Sequence, residues 1–215
     1  QKVGAEYRKE VWSKGWEENL QQFRIKKSKD DLKPKFLRSN QPIRWNQKYY
    51  RTSSSEFEKL WQEILVKFVF FNYMKDCQNI YEFGAGTGYN LLLASEYFPN
   101  KNFYGSDFVQ SAVDLMNLVG KEKGIKLKGD LFDMINPNYN YKIKDNSAVM
   151  TFGAMEQLSG NVEKMFDYLL SQKIKICIHI EPELDFYDQN ILEDYLAIKF
   201  QGQRGYSNVI GSYLR

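Results

Sequence analysis

"IYEFGAGTGYN", from Ile80 to Asn90, sets three glycines, Gly84, Gly86 and Gly88, within five residues directly behind an apolar run. A side chain at any of these positions would hold the backbone away from its neighbours, whereas glycine permits close approach and left-handed turning angles. The run "NIYEF" reads as a strand and "YNLLLASEYF" behind it as a helix. Glycine-rich strand-to-helix turns are where α/β sheets meet ligands, outside the carboxyl ends of their strands. The dinucleotide fingerprint G-x-G-x-x-G would need its third glycine at Tyr89, so a nicotinamide cofactor is disfavoured.

The same alternation continues outward from this turn. "KNFYGSD" reads as a strand, "VQSAVDLMNLVGKEKG" as a helix ended by glycine, "IKLKGD" and "SAVMTF" as strands, "VEKMFDYLLSQ" as a helix and "KIKICIHIEP" as a strand. Alternating strands and helices predict an α/β fold: a Rossmann-like, doubly wound, mostly parallel sheet with helices on both faces. Upstream, "SSSEFEKLWQEILVKFVFFNYMK" carries a capping-box pattern at Ser55 and Glu58, with apolar residues at Phe57, Leu60, Trp61, Ile64, Leu65 and Phe68. It predicts a long amphipathic helix with that stripe as its apolar face. The first 52 residues read as a helix followed by a loop.

At 215 residues and 43% hydrophobic content the chain has room for one domain of ordinary size. The first residue is Gln1, which suggests numbering that begins inside a longer chain. The apolar stretch Ile64 to Phe71 is broken by Lys67 and falls far short of a membrane span. Two distant cysteines and the single His179 offer too few ligands for a structural metal, and point to a reducing, cytoplasmic compartment. Charge is uneven: residues 1–52 hold 14 Lys/Arg against 6 Asp/Glu, leaving 16 against 21 for the remainder. Residues 1–54 are therefore expected to form a basic N-terminal helical extension and residues 55–215 the ligand-binding domain. The extension, with Trp12, Trp16 and Trp45 among its cations, either holds an acidic partner such as nucleic acid or packs its tryptophans on the body.

With these pieces in place, "EFGAGTG" resembles the first motif of the class I S-adenosylmethionine-dependent methyltransferases, and the likeness extends over about residues 55–200. The resemblance implies S-adenosylmethionine as cofactor, with the glycine turn against it and Glu82 orienting its methionine amino end. Asp107 closes "GSD" 19 residues past Gly88, where the family's acid accepts from both ribose hydroxyls. "GDLFD" resembles the adenine-contacting segment, which implies Asp130 on the adenine amino group, Leu131 or Phe132 over the ring and Phe108 on its other face. "TFGAMEQLSG" resembles the fourth motif and implies Thr151, Phe152, Glu156 and Gln157 near the sulfonium or the acceptor. The family's last two strands are not evident, so a partner chain or a further region is expected at the sheet edge, or the domain is C-terminally incomplete.

Methyl transfer from a sulfonium is an in-line displacement, and a base is needed only where the acceptor loses a proton. His179 and Glu181 lie two apart on one strand face, and they and Glu156 are the candidate catalytic groups. The loop "TFGAMEQ" lacks the D/N-P-P-Y/F of amino-directed DNA methyltransferases and the paired glutamates of arginine methyltransferases. A small-molecule or sugar acceptor is the expectation. The alternatives are an RNA or other nucleic-acid acceptor docked on the basic extension, and a non-catalytic module of a larger protein. The segment before the first strand is expected to form a lid, with Tyr49, Tyr50 or Arg51 approaching the cofactor.

Overall fold

In the computed structural model, which describes residues 5–207 and 209–214, the chain opens with helix α1 (Ala5–Lys26). Two short strands follow, β1 (Ile43–Trp45) and β2 (Lys48–Tyr50), where the sequence suggested only a loop. Asn46 and Gln47 join them with φ of 45° and 66°, the doubly left-handed turn that suits a two-residue hairpin.

Helix α2 (Phe57–Val69) forms where predicted and runs into a π-helical turn, but it buries a different face. Gln62, Val66 and Val69 are inside, while Leu60, Trp61, Ile64 and Phe68 are between 38% and 58% exposed. The reason is polar: Gln62 must reach inward to hold Asn90, which leaves most of the stripe outside, although Leu65 still packs on the core, Trp45 of the hairpin meets Trp61 and Tyr73 meets Phe68. The expected Ser55–Glu58 capping box is absent, and Glu56 caps α2 without a side-chain bond. A capping box forms instead at Ser28 and Asp31, opening the short turn Lys29–Leu32.

The alternation that follows matches the sequence reading closely. The elements are β3 (Asn79–Phe83), α3 (Tyr89–Tyr97), β4 (Asn102–Asp107), α4 (Gln110–Lys123), β5 (Leu127–Leu131), β6 (Ala148–Phe152), α5 (Glu163–Leu170), β7 (Ile176–Ile180), α6 (Leu192–Arg204) and α7 (Ile210–Tyr213). The five longer strands form one sheet in the order β5-β4-β3-β6-β7, every pair parallel. From β3 the chain winds outward to β5, returns to β6 beside β3, and winds outward again to β7. The gap between β3 and β6 is thus the switch point of a doubly wound sheet, where a crevice opens at the strands' carboxyl ends. Among the described residues no strand follows β7, which pairs only with β6.

Side chains alternate across the sheet as the pleat requires. Ile80, Ala148 and Met150 enter the core cluster shared with α3 and α4, and Tyr81, Phe83 and Val149 enter the one shared with α5. Leu20, Phe23 and Leu32 belong to the first cluster, so the N-terminal extension is built into the body's core. Helix α1 lies along α4, with Ser111 donating to the Ser13 carbonyl at 3.1 Å.

Candidate cofactor cleft

The carboxyl ends of β3, β4, β5 and β6 open onto a cleft of about 1160 Å³, roofed by α1 through Lys9, Trp12 and Trp16. From the glycine turn, Gly84 and Gly86 line it and Gly88 does not, because Gly88 caps α3 beside Met116. The missing side chains are explained partly by the protein itself. A Cβ on Gly84 would fall 2.4 Å from that of Ala154 in the loop after β6, and one on Gly86 would fall 2.8 Å from the Trp16 ring. The turn is bare so that the β6 loop and the roof can close on it as well.

Two acids face the cleft at the ends of adjacent strands. Glu82 is 2% exposed; its Oε1 accepts from Asn90 Nδ2 at 2.7 Å, and Asn90 Oδ1 in turn accepts from Gln62 at 2.9 Å. Its other oxygen, Oε2, is buried without a partner. Burial, with the Asp107 charge adding to it, pushes the Glu82 carboxyl up to about 8 against the Asn90 hydrogen bond. Asp107 accepts from the backbone N–H groups of Gly86 at 3.0 Å and Val109 at 3.1 Å, which fix its carboxylate across the glycine turn. Burial raises it to about 6 in spite of them. An orphaned buried carboxylate oxygen calls for a cation or a strong donor. An α-amino group and a pair of ribose hydroxyls would meet the needs of these two acids, so the residues fit S-adenosylmethionine. Phe108, Leu131 and Phe132 also line the cleft, on the β4–β5 side where the adenine was expected.

Other expected residues stand elsewhere. Asp130 is turned out of the cleft: it pairs with Lys128 at 2.8 Å and accepts from the Tyr141 hydroxyl at 3.3 Å, and Asp133 lines the cleft instead. Thr151 is fully buried against His179 Nδ1 at 2.9 Å, and neither lines the cleft. Burial pulls the His179 imidazole down to about 4. Glu181 accepts from the N–H groups of Ala154 at 3.1 Å and Glu156 at 3.2 Å, binding the β6 loop from behind. Burial and the Glu181 charge push Glu156 up to about 8, with Arg204 opposing. The three candidate bases therefore back the cleft wall and do not face the cleft, because the loop's own N–H groups claim the carboxylate at the strand end.

Gln157 does line the cleft, accepting from Trp12 Nε1 at 2.9 Å and donating to the Gly153 carbonyl at 3.1 Å. The roof is thus α1, and Tyr49, Tyr50 and Arg51 are exposed and away from the lining. Trp12 and Trp16 lie four apart on one helix face and stack at 5.1 Å, a spacing legible in the sequence although no motif singles it out. Tyr206, past α6, and Asn90 were not anticipated.

No protein-family model matches the chain, and no curated protein is similar to it. Solved structures are similar in fold. They include the O-methyltransferase of a trans-AT PKS multienzyme from Brevibacillus brevis in complex with S-adenosyl-L-homocysteine (16% identity, 63% of this chain and 47% of that one, TM-score 0.49). Coclaurine N-methyltransferase bound to N-methylheliamine and SAH is another (11%, 78% and 50%, TM-score 0.49), as is the [4+2]-cyclase SpnF (14%, 65% and 49%, TM-score 0.46). The chain spans about half the length of these structures. Identities this low speak of fold alone. The strand order is that of a Rossmann-like, doubly wound parallel sheet.

Proposed function

We propose that the cleft binds S-adenosylmethionine and that the chain transfers its methyl group to a small-molecule acceptor. One observation carries the reading: the unpartnered Glu82 oxygen, buried beside Asp107 at the sheet's switch point. Glu82 holds the ammonium of the methionine end, Asp107 accepts from the ribose hydroxyls, and Phe108 with Leu131 encloses the base. The bound cofactor supplies a methyl carbon activated by a sulfonium, which an acceptor lone pair takes in line as the carbon–sulfur electron pair returns to sulfur. The chain's own part is positioning and the exclusion of water by the tryptophan roof. Glu156, Glu181 and His179 back the wall, so a proton released by the acceptor leaves to water at the mouth.

A nucleic-acid acceptor drawn by the basic extension is less well supported. Lys27 pairs with Glu122 at 2.6 Å, Lys29 with Glu96 at 2.6 Å and Lys33 with Glu56 at 2.7 Å, and Arg44 pairs with the buried Asp194. Four of the 14 Lys/Arg of residues 1–52 are thus already paired with acids of the body of the chain. Calorimetric titration with S-adenosylhomocysteine tests the cofactor reading. Micromolar binding is expected for the wild type, and Asp107→Ala should weaken it about 100-fold through lost charged hydrogen bonds. Absence of wild-type binding at millimolar ligand would overturn it.

A further inference from the structure

The cleft divides along the switch point, and its two halves differ in charge. Over β3 and β4 lie Glu82 and Asp107, with Asp133 beyond them. Over β6 and β7 the wall is made by Phe152, Gln157, Leu158, Leu184, Ile198 and Tyr206. No Asp, Glu, Lys, Arg or His of these elements is among the described lining residues. The carboxylates that the chain does carry here are withdrawn: Glu181 is spent on backbone N–H groups, and Glu156 lies behind the same loop. Arg204 stacks over the Phe200 ring at 4.5 Å, outside the lining, and donates to the Tyr206 hydroxyl oxygen at 3.2 Å. Lys9 is the one cation among the described lining residues, and it is an exposed residue one turn before Trp12.

The polar side chains that remain are few and fixed, and of these Ser159 donates to the Gly205 carbonyl at 2.8 Å and Asn161 to the Leu158 carbonyl at 2.9 Å. The Gln157 amide is oriented by Trp12 above and Gly153 below. The Tyr206 oxygen already accepts from Arg204, so its proton is left to donate. Around them stand the Trp12 and Phe152 rings and the aliphatic Leu158, Leu184 and Ile198. A cleft of about 1160 Å³ exceeds the volume of an ordinary single-ligand site, so there is room for a second molecule beside the cofactor.

From this we infer that the acceptor bound over β6 and β7 is an uncharged, ring-bearing small molecule with one polar group, seated between the Trp12 roof and Ile198 and met by Tyr206. The inference rests on the methyltransferase reading for the word acceptor, and on the lining alone for the chemistry of the molecule. An ionic group in this half would lose its hydration and meet no charged side chain of the β6 and β7 lining, the nearby Arg204 being held by the Tyr206 oxygen and the Phe200 ring, a penalty that a neutral hydroxyl or amide escapes.

The test uses three probes of one shape, naphthol, naphthoate and protonated naphthylmethylamine, titrated into the full chain with and without saturating S-adenosylhomocysteine. Naphthol should bind at least about tenfold more tightly than either ion. Ile198→Asp should abolish naphthol binding and leave S-adenosylhomocysteine affinity unchanged, since Ile198 is a half-buried residue of α6 and the cofactor is read onto Glu82 and Asp107 at the ends of β3 and β4. Tyr206→Phe should weaken naphthol several-fold in the same folded background. Tighter binding of either ion, or naphthol binding indifferent to Ile198→Asp, overturns the inference. Failure of S-adenosylhomocysteine to bind would instead sink the cofactor reading, and the order of the three probes in its absence would still decide the chemistry of this half.

Discussion

Two pairs of carboxylates stand beyond the strand ends of this sheet, all buried but the half-buried Glu181, and they have different uses. Glu82 and Asp107, at the ends of β3 and β4, line the cleft, and Glu82 keeps one oxygen without a partner. Glu156 and Glu181, beyond β6 and β7, lie behind the cleft wall, and Glu181 spends its oxygens on the loop's own N–H groups. All four are raised above the usual carboxylate range, chiefly by burial. Burial and a perturbed carboxyl therefore do not by themselves mark a site. What separates the pairs is whether the carboxylate lines the cleft: Asp107 is held by two backbone N–H groups just as Glu181 is, but only Asp107 and Glu82 face the open space.

The comparison breaks most sharply at Glu181. Glu181→Ala strips the acceptor from the N–H groups of Ala154 and Glu156, and it should cost about 3 kcal/mol of stability in denaturant unfolding. S-adenosylhomocysteine affinity should change by less than about threefold, as befits a group that never meets the cofactor. A large loss of affinity with unchanged stability would place Glu181 in the cleft and collapse the distinction.

A smaller effect follows from pH. Glu82 and Glu156 titrate near 8 in the folded chain and near 4.5 when unfolded. Between those values the folded state holds protons that the unfolded state has released, so stability falls as pH rises, by roughly 1 kcal/mol per pH unit for each group. Unfolding measured from pH 5 to 8 should show this decline, and Glu82→Gln and Glu156→Gln should each remove part of the slope. A stability that rises over this range in the unliganded chain would contradict both assignments.

Much of the fold was legible because its signals are local. "NIYEF" is β3 residue for residue, and Gly124 ends α4 in the left-handed conformation that a helix-terminating glycine adopts. Glu82 and Asp107 were legible too, through the resemblance of "EFGAGTG" to a known motif and the spacing of Asp107 from Gly88, and both line the cleft. What could not be read depends on tertiary competition. Leu60, Trp61, Ile64 and Phe68 of the α2 stripe are exposed because Gln62, a polar residue, takes the inward position to orient Asn90 and through it Glu82. That Glu156 and Glu181 stand outside the cleft lining could not be read, because a strand-end carboxylate can face a cleft or hold its own loop, and periodicity does not distinguish the two. The roof was sought in Tyr49, Tyr50 and Arg51, next in sequence to the sheet, whereas α1 reaches the cleft by packing along α4.

On the proposed reading, Glu82 waits, largely protonated, for a cationic group of the cofactor. Calorimetric titration of S-adenosylhomocysteine at pH 7, in buffers of differing ionisation enthalpy, measures the protons exchanged on binding. The account predicts that the wild type releases close to one proton as the ligand's ammonium restores Glu82 to its ionised form, and that Glu82→Gln binds more weakly and releases none. Equal affinity and equal proton exchange in the two proteins would mean that Glu82 does not meet the ligand.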